Sequence, residues 1–345
     1  MGVQYRVDLC NAAGAKIDEL TDVRRLAVAK QVTAPGRVEI ELAAQHRAIA
    51  NLVDKGRIEV WRRWPEMGID WYRVHAGLFR DPTWETLQDE TRIFTAVGPG
   101  PLSMLGWSVN AYAAGTAGKT TWSNVRAETM MKQLVTNNCT ASATTGNGRD
   151  RTRLSGGTLS GFTITVQADA AGGNLLTFDS QRGMVLNELQ NIWDRGAGGD
   201  FDLVWVSGTT YEFRFYPGQL GTDRSASVTF AETFGTMGRP KLAIPRSSER
   251  TVAIAAGQGQ KDRRAIRVRT GANYSTANDI ETLVDGRNSA TNAALDAAGD
   301  AALSKARARA ALTFTPLQTP ALLLDRDYFL GDKVASSYAG QTFTH

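Results

Sequence analysis

The sequence contains only two cysteines and three histidines in 345 residues, and this scarcity limits the chemistry available to the chain. Cys10 and Cys139 are too few for a disulfide-stabilised scaffold. A zinc site or a histidine-dependent triad has few possible members. The HExxH, GxSxG and CxxC motifs are absent as well. The inventory therefore favours a structural or binding role, with no catalytic residue, cofactor or metal expected.

Long apolar runs and a strong charge imbalance are also missing. No run approaches the roughly 18–20 apolar residues of a membrane span. The first residues have no apolar signal core, so neither secretory targeting nor a membrane anchor is expected. The formal net charge of +4, from 39 basic and 35 acidic side chains, is too small to indicate a nucleic-acid binder by itself.

The first part of the chain alternates apolar and polar residues, which is the period of a half-buried strand. Residues that favour turns separate these runs, notably Pro35-Gly36, Lys55-Gly56 and Asp81-Pro82. Strands are predicted at 3–10, 37–42, 57–62, 71–79 and 91–97. Short strands at this spacing predict an antiparallel barrel or sandwich over residues 1–98.

The pattern changes after residue 98. Helices are predicted at 125–135 and 182–195, with an exposed loop at about 140–160, so that residues 99–199 form a helical and loop insertion. A β hairpin at 201–216 and strands at 226–230, 251–254 and 265–269 predict a second β domain at 200–275.

An Ala-rich helix is predicted at 289–311, followed by strands at 312–315 and 328–334, within a last segment, 276–345, that packs back on the others. Because strands and helices do not alternate regularly, the pattern argues against a doubly wound fold. The fold class predicted is α+β, mainly β.

One segment imitates a phosphate-binding loop. Residues 113–120 match a relaxed form of the motif, with Lys119 and Thr120 at the positions that neutralise phosphate and hold Mg²⁺. No strongly apolar strand precedes it, so a flexible loop is the simpler interpretation. A P-loop nucleotide hydrolase stays open as an alternative function.

Four arginines form a second candidate site. Arg263, Arg264, Arg267 and Arg269 would provide a pore or polyanion contact, and the last two share one strand face because they are two residues apart. The simpler interpretation is a solvated strand face. Elsewhere, Asp325 and Asp327 flank Arg326 and indicate a local ion pair rather than an acid–base dyad.

Several segments, in chain order, resemble the baseplate hub or tail-tip hub proteins of long-tailed (siphovirus) bacteriophages, which are related to the contractile-tail hub. They are Phe-Arg-Phe-Tyr-Pro-Gly-Gln-Leu-Gly-Thr-Asp-Arg-Ser at 213–225, Ser-Glu-Arg-Thr-Val-Ala-Ile-Ala-Ala-Gly-Gln-Gly at 248–259, Leu-Gln-Thr-Pro-Ala at 317–321 and Arg-Asp-Tyr-Phe-Leu-Gly-Asp-Lys-Val at 326–334. Residues 71–84, 97–99 and 128–132 fit the same family.

The resemblance implies a non-enzymatic virion protein at the phage tail tip, made in the host cytoplasm. It implies a homotrimer with two tail-tube-like antiparallel β-barrels per chain, giving six similar barrels around a channel. One side would meet the sixfold tail tube or distal tail protein, and the other a tip, spike or fibre protein. The channel would hold the tape-measure protein and later pass DNA.

Within this interpretation, the loop 217–224 is the predicted subunit or tube contact. Its glycines allow close backbone approach, and its arginine can pair with a carboxylate in two hydrogen bonds. The residues concerned are Pro217, Gly218, Gly221, Asp223 and Arg224. A plain structured turn is the simpler interpretation. A monomeric β-rich module that binds a carbohydrate or receptor on the host surface stays open as a further alternative function.

Overall fold

The structure is a computed structural model, and it describes residues 2–112, 118–143, 158–259, 263–287 and 291–344. Strands make up most of the regular structure and helices the smaller part, which confirms the predicted α+β, mainly β class. The chain divides into two compact units, residues 1–223 with 325–333, and residues 224–324 with 334–345. The finer division at 98, 199 and 275 stays a prediction.

The first unit begins with two four-stranded antiparallel sheets. One has the order β2-β1-β5-β6 and the other the order β3-β4-β8-β7. The strands are β1 (Gln4–Cys10), β2 (Lys16–Leu20), β3 (Arg25–Ala29), β4 (Arg37–Ala43), β5 (Arg57–Trp64), β6 (Ile69–Leu78), β7 (Asp81–Thr86) and β8 (Arg92–Pro99).

Alternation along these strands creates the core of the sheet pair. In β4, Val38, Ile40 and Leu42 are fully buried, while the residues between them face outward. Burying each such side chain stabilises the fold by about 1.5–3 kcal/mol. The same buried cluster contains Val7, Leu9, Ile58, Val60, Phe94 and Ala96.

The prediction of closed β-barrels is wrong. The strands that the structure describes form separate sheets of two to four strands, and none of these sheets closes on itself. The pattern of alternation fixes which face of a strand is buried, but it does not specify whether the edge strands meet. A pair of packed sheets satisfies the same pattern.

The rest of the first unit mixes helices and sheets. It contains β9 (Lys119–Arg126) paired with β11 (Leu175–Gln181), and β10 (Thr163–Val166), β13 (Thr210–Pro217) and β12 (Gly199–Ser207) in that spatial order. The helices are α1 (Ala127–Cys139) and α2 (Val185–Asp194). Both helices and the β12–β13 hairpin confirm the predicted elements, while residues 144–157 of the predicted loop lie outside the described residues.

In its described residues, the second unit contains three small sheets and one α helix. The sheets are β14-β20-β21, β15-β19 and β17-β16-β18. Their strands are β14 (Thr229–Ala231), β15 (Met237–Ala243), β16 (Val252–Ala256), β17 (Ile266–Thr270), β18 (Glu281–Asp285), β19 (Ala311–Pro316), β20 (Ala335–Tyr338) and β21 (Gln341–Thr344). The helix is α3 (Asn292–Lys305).

Two predictions in the C-terminal part are wrong in detail. Helix α3 is shorter than the predicted 289–311. Thr291 caps its start by accepting a hydrogen bond from the Ala294 amide, and the helix ends at Lys305, before strand β19 begins at Ala311. Residues 328–334 do not form a strand. The Asp332 amide donates to the Phe329 carbonyl and Gly331 has a φ of 86°, so this segment is a turn.

In the described part of the chain, no helix combines the length and the apolar character needed to cross a membrane. Among the same residues, no group of three or more His, Cys, Asp or Glu side chains is arranged to hold a metal ion.

Candidate interaction surfaces

The predicted contact loop, 217–224, lies beside the turn 329–333. The Gly221 amide donates to the Gly331 carbonyl at 3.3 Å, and the Thr222 amide donates to the Asp332 carboxylate at 2.7 Å. The Lys333 ammonium pairs with Asp223 at 3.0 Å. Much of the loop's hydrogen-bonding capacity is therefore used inside the first unit.

Gly221 is required by this close approach. A Cβ at this position would lie 2.4 Å from the Asp332 amide nitrogen and 2.5 Å from the Gly331 carbonyl carbon. Both are backbone atoms that cannot move aside cheaply. By contrast, Gly218 has a φ of 81° and open space around it, so its conformation serves the turn itself.

Pro217, Gly218 and Asp223 are exposed, while Arg224 is half-buried and its carbonyl accepts hydrogen bonds from the Ser227 and Val228 amides. The exposed residues offer a surface for a neighbouring protein. Their role as a subunit or tube interface stays a prediction.

The four predicted arginines occupy different positions. Arg267 and Arg269 lie on the face of β17 that α3 covers, and they pair with Asp296 and Asp300. Both pairs are bidentate, and the two N–O distances of each pair lie between 2.7 and 3.0 Å.

The spacing of these pairs explains the match. Two residues along a strand advance about 6.6–6.8 Å and four residues along a helix advance about 6 Å, so a pair of arginines faces a pair of aspartates. The aspartates of α3 compensate the charge of both arginines. In the structure, these two ion pairs hold α3 on the sheet.

Arg264 and Arg263 differ from that pair. Arg264 donates to the Ala256 and Gly257 carbonyls at 3.0 Å and lies 3.3 Å from Asp285, whereas Arg263 is exposed. The predicted contact with a pore or polyanion stays a prediction, and Arg263 is the member whose side chain faces solvent. Lys261 of the same basic run lies outside the described residues.

The segment 113–120, which matches a relaxed phosphate-binding motif, does not lie in the structural context that such a loop has. Residues 113–117 lie outside the described residues, but Lys119 and Thr120 begin strand β9, whereas a phosphate-binding loop leads into the N-terminus of a helix. The Lys119 ammonium lies 3.3 Å from the Asp179 carboxylate on the paired strand β11. The Thr120 hydroxyl accepts a hydrogen bond from Tyr112.

The interpretation of Asp327 and Arg326 as a local ion pair is confirmed, since the guanidinium binds both carboxylate oxygens. Asp325 behaves differently. Its carboxylate lies 3.0 Å from the Lys30 ammonium and 3.0 Å from the Arg62 guanidinium, and both contacts lie within the first unit. The side chains of Asp325 and Arg62 are only 10% and 6% exposed.

The side chain of His75 on β6 lies close to the backbone at Gly36 and at Gly100. Its Nε2 atom is buried without a hydrogen-bond partner among the described residues, and a Cβ built on Gly36 would lie 2.8 Å from it. Burial, aided by the positive charges of Lys30 and Arg73, lowers the pKa of His75 to about 4. The ring is therefore neutral in the folded protein near neutral pH.

We expect this histidine to make the protein less stable in mild acid. Because its folded pKa is depressed from 6.5 to about 4, the unfolded chain binds a proton first as the pH falls. Stability is fully present above about pH 6.5, falls between pH 6.5 and 4, and levels off below, with a total loss of about 3 kcal/mol from this group. Denaturant unfolding of wild type and His75→Leu at several pH values measures it. Identical pH profiles for the two proteins would contradict the expectation.

Sequence reasoning missed one surface that the structure exposes. Strand β17 alternates Ile266, Arg267, Val268 and Arg269. The prediction concerned the arginines only and did not include the aliphatic residues on the opposite face. Ile266 and Val268 are 52% and 59% exposed, and Leu283 on β18 is 71% exposed. The alternation itself was the available signal, because a strand with arginines on one face presents its aliphatic residues on the other.

The chain matches a protein family over nearly its full length. The model of the siphovirus ReqiPepy6 Gp37-like proteins covers residues 6–345. No curated protein has a sequence that matches the chain.

Two solved structures share its fold. Prophage tail protein gp18 from Listeria monocytogenes EGD-e is 11% identical with a TM-score of 0.53, over 99% of this chain and 87% of its own. The 43 kDa tail protein of prophage MuSo2 from Shewanella oneidensis is 11% identical with a TM-score of 0.56, over 97% and 89%.

A family match of this extent shows that the chain is a protein of siphovirus type, and its fold is one that two prophage tail proteins share. It belongs to the family of siphovirus ReqiPepy6 Gp37-like proteins. The resemblance to tail proteins of long-tailed phages is thereby confirmed.

Proposed function

We propose that the chain is the tail hub, a homotrimer that joins the sixfold tail tube to the threefold tail tip. Its centre forms part of the channel that holds the tape-measure protein and passes DNA. The match to the family of siphovirus ReqiPepy6 Gp37-like proteins over residues 6–345 carries this proposal. The two prophage tail proteins that share the fold over 97% or more of this chain support it.

The mechanism is a match of symmetries. A cyclic trimer closes through a heterologous interface, so each copy uses two different surface patches. An obligate interface of this kind buries on the order of 2,000 Å² or more. In this arrangement, the exposed residues Pro217, Gly218 and Asp223 face a neighbouring copy or the tube, and the tip, spike or fibre protein binds the opposite side.

The assembly state of the purified chain tests the proposal. We expect light scattering to give about three times the 37.3 kDa of one chain, and negative-stain class averages to show a threefold ring with an open centre. The same assay on Arg224→Ala tests the loop, and unchanged trimer stability with unchanged tube attachment would remove it from the interface. A monomer that binds host cells without forming a ring would overturn the hub and favour the surface-binding alternative.

A further inference from the structure

The positive charge of the chain is concentrated in the second unit. That unit contains 14 basic and 8 acidic residues, a net charge of +6, whereas the whole chain has a net charge of +4. The first unit is therefore slightly acidic. A charge asymmetry of this kind between two parts of a chain is typical of a protein that meets a nucleic acid or another polyanion.

Much of this charge lies on two segments, 241–250 and 305–313, that run side by side in opposite directions. Lys241 of β15 is in register with Thr313 of β19. Further along, the Arg250 amide donates a hydrogen bond to the Ala306 carbonyl at 3.0 Å. Six basic residues lie on the two segments, and we call them the basic patch: Lys241, Arg246, Arg250, Lys305, Arg307 and Arg309.

The basic patch is open to solvent. All of its members except the half-buried Arg250 are exposed. Between 305 and 309, the exposed basic residues alternate with Ala306 and Ala308, which are half-buried. The chain therefore turns its alanines toward the protein and its charged side chains outward.

In the part of the chain that the structure describes, no acidic side chain pairs with the basic patch. The one acidic residue of the two segments, Glu249, is 2% exposed and accepts a hydrogen bond from Asn273. Other arginines of the second unit do have aspartate partners, namely Arg264, Arg267, Arg269 and Arg287. Because unpaired like charges repel one another, a partner that supplies negative charge would relieve the patch.

The chemistry of the basic patch fits a nucleic acid better than the surface of another protein. Protein interfaces have an apolar core rich in aromatic residues, whereas the two segments contain no aromatic residue and one well-exposed large apolar residue, Ile244. Interfaces with DNA are much more positively charged. Four of the six members are arginines, which bind phosphate in two hydrogen bonds. The exposed Ser247 and Ser248 add hydroxyl donors of the kind that contact phosphate oxygens.

The same composition favours double-stranded over single-stranded DNA. Proteins that bind single strands combine a basic groove with aromatic side chains on which the bases stack. Because the two segments lack aromatic residues, they offer contacts to the phosphate backbone only. Such contacts are independent of sequence, and a duplex presents its phosphates while its bases stay stacked inside.

We propose that the basic patch binds the phosphate backbone of double-stranded DNA without sequence preference. The proposal rests on the proposed tail hub, because the channel of that hub brings DNA to the chain, and it names residues that the DNA meets. These residues differ from the predicted polyanion contact at 263–269, where three of the four arginines already have an aspartate partner.

Binding of a short fluorescent DNA duplex at several salt concentrations tests the proposal. We expect Arg246→Gln with Arg307→Gln to weaken binding about tenfold or more at low salt, and to lower the slope of log K against log salt by about 2, since each phosphate contact contributes about 1. Neither side chain has a hydrogen bond or ion pair among the described residues, and circular dichroism checks folding. If this variant does not fold, Lys241→Gln with Lys305→Gln replaces it.

Arg287→Gln with Arg326→Gln is the matched control. It removes the same two charges from exposed arginines outside the patch, each of which is bound to a nearby aspartate. We expect its DNA affinity and salt slope to stay close to those of wild type. Equal weakening by the two double variants would show that net charge alone drives binding, and it would overturn a defined site.

Two competitors separate DNA from other polyanions. Poly-glutamate presents carboxylates, as an acidic protein would, and vesicles containing phosphatidylglycerol present lipid phosphates. We expect an unlabelled duplex of unrelated sequence to displace the bound DNA, and both competitors to displace far less at equal charge. Displacement as effective as that by the duplex would indicate an acidic protein or an anionic membrane as the partner, and either result would overturn the proposal.

This proposal and the tail hub fail in different ways. If the chain is trimeric but binds no DNA at low salt, the basic patch is not a DNA contact, and the hub stands. If the chain binds DNA through the patch but stays monomeric, the DNA site stands and the hub falls. A chain that neither assembles nor binds DNA overturns both.

Discussion

Replacing Asp325 with Asn is expected to destabilise the protein by about 3 kcal/mol. The carboxylate is the buried partner of two cations, Lys30 and Arg62, each 3.0 Å away. Arg62 is 6% exposed and also lies over the rings of Trp64 and Tyr72, so it cannot turn to solvent when its partner becomes neutral. Removing one member of a buried pair leaves an uncompensated charge, and this accounts for the cost.

Asparagine is the appropriate substitution because Asp325 has a φ of 65°, a conformation that Asn also tolerates. The effect measured is then electrostatic rather than conformational. Asp327→Asn is the control, because Asp327 and Arg326 are 29% and 37% exposed and a surface pair contributes less than about 1 kcal/mol. Urea unfolding measures both. Equal effects for the two variants would show that the buried pair has no special role.

The sequence could not reveal the partners of Asp325. It placed this residue beside Arg326, and neighbours in sequence are the natural first guess for an ion pair. Lys30 and Arg62 lie 295 and 263 positions away, and only the tertiary fold brings them close. Ion pairs between sequence neighbours, such as Arg326 with Asp327, can be predicted from a sequence. Ion pairs between residues far apart in the sequence cannot, because the tertiary fold decides which of them meet.

Secondary structure was predictable where one local signal dominates. The apolar positions of α1 and α2 and the alternation of β4 and β5 are strong enough to survive in the fold. Strand β7 was missed because Asp81 and Pro82 favour turns. Proline is tolerated there because β7 pairs only with β8 among the described strands, so one of its edges needs no amide donor.

The candidate surfaces also divide into features set by local sequence and features set by long-range packing. Alternation placed Arg267 and Arg269 correctly on one face of a strand, but it could not show that α3 supplies Asp296 and Asp300 opposite them. The helix was predicted and its aspartates were visible in the sequence. Their match depends on which face of the sheet the helix covers, and long-range packing decides that.

Replacing Gly77 with Ala is expected to cost about 3 kcal/mol, comparable to the loss of the buried pair. Gly77 on β6 and Gly98 on β8 are buried where the two four-stranded sheets come into backbone contact. A Cβ on Gly77 would lie 2.1 Å from the Gly98 carbonyl oxygen and 2.7 Å from its carbon. No side chain can move aside to relieve this overlap, so the sheets themselves must separate and loosen the core between them.

The geometry also predicts a graded series, measured by denaturant unfolding of three variants. Gly98→Ala places its Cβ no closer than 3.0 Å to Gly77, so its cost is smaller than that of Gly77→Ala. Gly106→Ala meets only ordinary contacts with Leu186, at 3.8 Å or more, and is expected to stay within about 0.5 kcal/mol of wild type. A glycine within a strand pattern indicates close backbone approach, but only the packed sheets identify the backbone it meets. If Gly77→Ala proved as stable as Gly106→Ala, backbone contact between the sheets would not be what requires glycine at this position.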